Sequence, residues 1–205
     1  MQRTVAFYFG IGSRYSYLAS TQIDQLEADT GCRVLWRPLY STDLMAARGM
    51  DPFQGAAPSG QYEQRYRTID ATRWARFYGV PYVDPDWPSH PWRRYALAAV
   101  AAGRLGNAAA FSHALFAALF GDGAGPLGDD RLARLAVRVG LPGDRLLAGL
   151  ADPQTEADHR HNIEAALAAG VFGVPSFVVD GEMFWGNDRL ILLRHHLRAA
   201  APHTA

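Results

Sequence analysis

Ser13 is the first residue whose placement suggests chemistry. In FYFGIGSRYSYLA, Phe7 to Ala19, an apolar run stops at Gly-x-Gly-Ser and a helix-like pattern begins at once. A hydroxyl therefore stands where the first helical N–H groups emerge. A second candidate is GVFGVPSF, Gly170 to Phe177, where a Val-Pro step lies directly before an apolar strand. Proline cannot serve in mid-ladder, so Pro175 marks the strand's first residue or an edge. A cis bond there would turn the N–H and C=O of Val174 outward, a backbone clamp for a peptide-like ligand.

Other patterns carry less. GIGSRY begins as G-x-G after a strand, but Tyr15 holds the third glycine position and would block the close helix packing of a dinucleotide site. The GDGAGPLG segment follows a helix and reads as a loop. His159 and His161 sit two apart on a predicted helix and His195 and His196 are adjacent, so neither pair has metal-ligand spacing. They read as surface histidines, and no metal is expected. Tyr62, Tyr66, Asp70, Arg73, Trp74 and Phe77 fall on neighbouring turns, which predicts an aromatic core stripe with an Asp70–Arg73 surface pair. The single cysteine, Cys32, can form no internal disulfide and reads as a small buried filler.

Composition removes whole classes of function. The 205 residues are 49% apolar, enough for a real core, and twenty acidic residues balance twenty basic ones. That balance gives no electrostatic footprint for nucleic acid or an anionic membrane. Every basic residue is arginine, so a Schiff-base lysine and a phosphate-loop lysine are both excluded. The N-terminus MQRTVAFYFG shows no apolar leader, and nowhere do eighteen apolar residues run together, which predicts a soluble, cytoplasmic protein.

The elements that would position Ser13 and Val174 follow from pattern. Val5 to Phe9 reads as a buried strand, Tyr15 to Thr30 as a helix stopped by Gly31, and Arg33 to Leu39 as a second strand, together a right-handed parallel βαβ unit. From about 41 to 162 the chain is rich in Ala, Leu and Arg, with helix-length segments near 62–79, 91–104, 108–120, 130–139, 143–151 and 155–169. Strands then return: SFVVDGEMFW carries Asp180-Gly181 between two apolar runs, a strong hairpin signal. Asn187 is expected to cap a last helix with the stripe Leu190, Leu193, Leu197. The order predicts an α/β, thioredoxin-like, four-stranded mixed sheet with a large all-helical insertion. The expected domains are 1–40 with 163–205, and 41–162 inserted between them.

FYFGIGSRYSYLA, the spacing R-Y-x3-D-x2-R-x-A-x3-G from Arg65 to Gly79, and GVFGVPSFVVDGEMFWGNDRL together resemble the 2-hydroxychromene-2-carboxylate isomerases and the related kappa-class glutathione transferases. Both lie in the DsbA-like branch of the thioredoxin fold, and the resemblance runs from about Val5 to Arg198. Redox members begin this helix with C-x-x-C. Here the corresponding residues are Ser13-Arg14-Tyr15-Ser16, so disulfide exchange is unavailable.

The resemblance implies glutathione as cofactor, with Ser13 supporting its thiolate. It implies Val174, beside a cis Pro175, as the backbone clamp on the cysteinyl part, and Asn187 and Asp188 at the γ-glutamyl end. Met50 stands where relatives place a glutathione-contacting asparagine. Arg14 stands where they place proline, and Arg14 and Tyr15 are expected to face an aromatic carboxylate substrate. For Arg14 two readings stand: a side chain turned into solvent, or a guanidinium overhanging the thiolate pocket. Relatives are often homodimers. The expected reaction is isomerisation of a conjugated aromatic carboxylate. A transferase or reductase acting on an electrophile is the alternative within the family, and a non-catalytic binding protein on a degenerate thioredoxin scaffold is the alternative outside enzymology.

Overall fold

The computed structural model describes residues 2–49 and 63–199. The predicted site residue Met50, and Tyr62 of the aromatic stripe, lie outside the described residues. The chain opens with β1 (Thr4–Phe9), α1 (Arg14–Ser20), α2 (Ile23–Thr30) and β2 (Arg33–Pro38). The helical stretch contains α3 (Ser41–Ala47), α4 (Gln64–Tyr78), α5 (Trp92–Arg104), α6 (Ala108–Phe116), α7 (Asp129–Arg138), α8 (Gly143–Leu150) and α9 (Pro153–Ala168). It closes with β3 (Ser176–Val179), β4 (Glu182–Trp185) and α10 (Leu190–Ala199).

The strands form one mixed sheet in the order β2-β1-β3-β4. β1 runs parallel to β2, as a helical crossover requires, and antiparallel to β3, which turns back into β4. The Asp-Gly turn is the predicted one: Asp180 and Gly181 both take positive φ, and Val179 pairs with Glu182 across a two-residue loop. This is the expected thioredoxin-like sheet with helices inserted between β2 and β3.

Alternation along β1 divides the interior into two layers. Val5, Phe7 and Phe9 enter one core with α1, α2, α5 and α6, while Tyr8 joins Leu39, Leu44, Ile163, Ala166 and Val171 on the other face. Phe7 stacks on Phe9 at 4.8 Å and on Phe177 at 4.7 Å, with Trp36 edge-on to both β1 rings. Each fully buried ring contributes about 1.5–3 kcal/mol through apolar burial. The same core continues into the helical stretch, where Phe116 reaches both Phe9 and Tyr17.

Two local expectations change. The helix predicted over Tyr15 to Thr30 is two helices, broken at Thr21-Gln22. The Ser20 and Thr21 hydroxyls donate to the Tyr17 and Leu18 carbonyls, each at 2.7 Å, offering the backbone a local alternative to the helical ladder. The aromatic stripe on α4 is core only in part: Trp74 packs partly buried against the core, but Phe77 is 72% exposed and Tyr66 44%, while Ala71 and Ala75 face inward. Small residues let α4 pack on α1 and leave Tyr66 and Phe77 at the rim.

Candidate active site

Ser13 is the N-cap of α1. Its backbone is extended (φ −103, ψ 115), and its Oγ accepts the Ser16 N–H at 3.1 Å. That bond uses a lone pair and leaves the hydroxyl proton to be donated elsewhere. Because α1 is only Arg14–Ser20, this hydroxyl, rather than a long helix dipole, is the polar group presented at the loop. The preceding glycines have packing roles: a Cβ on Gly12 would meet the Trp92 indole at 3.1 Å, and one on Gly10 would lie 3.5 Å from Val174. Trp87 Nε1 donates to the Gly12 carbonyl at 2.9 Å and Trp92 Nε1 to the Trp87 carbonyl at 2.8 Å, tying the loop to the helical stretch.

Gly12 and Arg14, the chain neighbours of Ser13, line a cavity of about 330 Å³ together with Gln64, Arg67, Trp87 and Pro88. Arg14 is not turned into solvent; it is 2% exposed. Its guanidinium lies over the Trp87 ring at 4.3 Å, donates from Nη1 to Thr68 Oγ1 at 3.1 Å, and pairs with Asp84 at 3.4 Å. Asp84 also accepts from Thr68 Oγ1 at 2.6 Å and from the Tyr82 hydroxyl. A cation in the first turn of a helix opposes the helix dipole. Asp84 and the indole supply the compensation, and burial lowers the Arg14 pKa against the pull of Tyr82 and Asp84.

Tyr15 donates its hydroxyl to Asp70 at 2.9 Å. Among the described residues no ion pair joins Asp70 to Arg73, so the predicted surface pair is replaced by this link between α1 and α4. Burial first, then the carboxylate bond, push the Tyr15 and Tyr82 phenols well above their ordinary range. Both are held as neutral donors and cannot serve as bases near neutral pH.

On the sheet side the Val174–Pro175 peptide is cis, as expected. The Pro175 carbonyl accepts the Gly186 N–H at 2.9 Å, and among the described residues no backbone bond engages the Val174 N–H or C=O. Asn187 does not cap the last helix. It sits in a 3-10 turn, Asn187–Arg189, directly before α10, with Gly186 as the capping residue. Its carbonyl accepts the Tyr78 hydroxyl at 3.2 Å, and its own buried Nδ2 has no partner among the described residues. This turn packs on α1, which brings Asn187 and Asp188 to the element that Ser13 caps.

Elsewhere, Cys32 is the buried filler expected, its thiol pushed up by burial. His159 is not a surface residue: it is 1% exposed, and its Nε2 accepts the Tyr40 N–H at 3.0 Å. Sequence reasoning also passed over Arg67, Thr68, Tyr82, Asp84 and Trp87. The last three lie in VPYVDPDWP, which reads only as a break between helices; a clustered Asp, Tyr and Trp in a proline-rich loop was the one available signal.

The fold and the site together define a thioredoxin-class protein whose first helix opens on Ser13-Arg14-Tyr15-Ser16, without a cysteine. The family model of the DSBA-like thioredoxin domain matches residues 4–198. A 2-hydroxychromene-2-carboxylate isomerase from Sphingobium xenophagum is 32% identical over 200 residues, covering 96% of this chain and 99% of the relative. A solved structure of a 2-hydroxychromene-2-carboxylate isomerase superposes with a TM-score of 0.81 at 28% identity, covering 95% of this chain and 94% of that one. A probable DsbA oxidoreductase from Streptomyces coelicolor, at 21% identity and a TM-score of 0.69 over 100% of this chain and 92% of that one, shares the fold. The chain belongs to the DsbA-like thioredoxin family, in the branch of the 2-hydroxychromene-2-carboxylate isomerases.

Proposed function

We propose that this protein is a glutathione-dependent isomerase of 2-hydroxychromene-2-carboxylate or a closely similar conjugated aromatic carboxylate. One observation carries the reading: the N-cap of α1 is a hydroxyl that accepts the Ser16 N–H and, among the described residues, donates to no partner, and its chain neighbours Gly12 and Arg14 line a cavity walled by arginine and tryptophan. The isomerase names of the relatives support the reaction class.

The residues present fit glutathione. A peptide-like ligand needs unengaged backbone groups and polar atoms to meet its ends, and the Val174 backbone and the buried, unpartnered Asn187 Nδ2 offer both. Bound glutathione would supply a thiolate that adds reversibly to the conjugated double bond and so permits rotation about it. Ser13 would donate its hydroxyl proton in a hydrogen bond to the sulfur, favouring the thiolate. Val174 would pair with the cysteinyl backbone, Asn187 would donate to the γ-glutamyl end, and Asp188 would meet its ammonium. Arg14, Tyr15 and Trp87 would wall the aromatic substrate.

A division of labour follows. The sheet-bearing part, 1–40 with 163–205, would hold the tripeptide, and the inserted part, 41–162, would wall the substrate together with Arg14 and Tyr15 of α1. The same reading places the protein in the cytoplasm as a homodimer, which fractionation and light scattering test. The deciding experiment follows the absorbance change on isomerisation with and without glutathione. Turnover that needs glutathione, is lost in Ser13→Ala and consumes no thiol supports the proposal. Turnover independent of glutathione, or stoichiometric loss of thiol into a conjugate, would overturn it.

A further inference from the structure

The cavity lined by Gly12 and Arg14 holds two guanidinium groups, and the structure gives them different work. Arg14 already faces a carboxylate: its charge meets Asp84 at 3.4 Å, its Nη1 donates to Thr68 at 3.1 Å, and one face of its plane lies 4.3 Å over Trp87, while its buried Nε has no partner among the described residues. A ligand carboxylate reaching for Arg14 would meet the like charge of Asp84. That carboxylate is fixed by Thr68 and Tyr82 and cannot swing aside without losing both bonds. Arg67 differs. It is half-buried on α4, lines the same cavity, and pairs with no carboxylate among the described residues. Its guanidinium carbon is 5.9 Å from the centre of the Tyr15 ring, close to the substrate wall. Thr68, the next residue, is pinned by the Arg14–Asp84 contacts, so the turn of helix carrying Arg67 is held in register with the cavity.

We propose that Arg67 is the anion-binding residue of this cavity. Resting on the isomerase reading of the site, it takes the carboxylate of the aromatic substrate in a two-bond fork, with Trp87 and Pro88 as the apolar wall for the ring. Arg14 instead keeps the indole and Asp84 in place. An arginine suits this role because its planar pair of donors matches a carboxylate and fixes its orientation as well as its position.

The test compares wild type with Arg67→Gln, Arg67→Lys and Arg76→Gln, the last an equal loss of charge on an exposed position of the same helix. Calorimetric titration uses trans-cinnamate and its neutral counterpart cinnamamide, and steady-state kinetics use 2-hydroxychromene-2-carboxylate with glutathione. Wild type is expected to prefer cinnamate. Arg67→Gln should lose that preference and raise KM about tenfold or more while kcat changes less than about threefold, because ground-state binding is what is removed. Arg67→Lys should recover part of the preference, and Arg76→Gln should match wild type. A cinnamate preference that survives Arg67→Gln would overturn the assignment, as would a fall in kcat at unchanged KM or an equal effect from Arg76→Gln. If the wild type converts no chromene carboxylate yet its cinnamate preference disappears with Arg67, the subsite stands and the isomerase reading falls.

Discussion

The two sides of the candidate site are built on different principles. The sheet side offers main-chain groups: the Val174 amide beside a cis proline, and the turn at Asn187 that leads into α10. Its geometry comes from short-range pattern, and few side chains need to find distant partners. The helical side offers side chains held by long-range contacts, with Arg14 reaching Asp84 seventy residues on and Trp87 reaching back to Gly12. The lesson is that a wall of backbone groups can stay nearly fixed while the opposite wall is rebuilt by exchanging side chains. Arginine in the first turn of α1 is accommodated because the wall supplies a carboxylate and an indole to receive it.

The largest expected effect separates the catalytic and capping roles of Ser13. Ser13→Asp keeps an oxygen to accept the Ser16 N–H and removes the proton donor. It should lose about 10²–10³-fold in kcat, the loss typical of one preorganised donor. Its stability should stay within about 0.5 kcal/mol of wild type, since Asp caps as well as Ser. Retained turnover would show that Ser13 serves α1 alone.

Next comes the wall. Arg14→Pro introduces a residue that suits a first helical turn but leaves Asp84 without its cation and Trp87 without its cover. We expect a loss of about 2 to 3 kcal/mol in urea unfolding, below the range for a fully buried pair because Asp84 is partly exposed. A more stable protein would show that the wall does not depend on Arg14, and the contrast between the two sides would fail.

A smaller effect tests the junction between the two sides. Burial holds the His159 and His113 imidazoles below the usual histidine range. On acidification the unfolded chain therefore takes up protons from about pH 6.5, before the folded chain does. The stability contribution is complete above that pH and is lost as the pH falls toward the lower folded values. Asp43 and Glu156 oppose the depression from 4.0 and 3.9 Å, and Arg93 adds to it. His159→Gln keeps an acceptor for the Tyr40 N–H and removes one titration, so the acid slope should flatten by up to about 1.4 kcal/mol per pH unit. Denaturant midpoints at several pH values measure it, and an unchanged slope would place the sensitivity elsewhere.

The smallest effect is expected from Cys32→Ala. The thiol is buried and raised in pKa by that burial, the reverse of a reactive cysteine. Activity should stay within about twofold and stability should fall by about 1 kcal/mol. Abolished turnover would move the chemistry from Ser13 to Cys32.

By itself the sequence determined the parts governed by neighbours in the chain: the strand before Ser13, the Asp180-Gly181 hairpin, the proline at the head of β3 and the parallel βαβ pairing. Each depends on alternation, on positive φ or on a missing N–H, and all of these act within a few residues. Only the tertiary structure decided where Arg14 goes, which carboxylate Tyr15 meets, that His159 is buried, and that Tyr66 and Phe77 stay at the rim while the alanines of α4 turn inward. A charge or ring can satisfy itself with any complementary group that packing brings near. For Arg14 and Tyr15 the available partners lay fifty to seventy residues away, so the choice between solvent, core and site was made by the helices closing on the sheet and not by the pattern of adjacent residues.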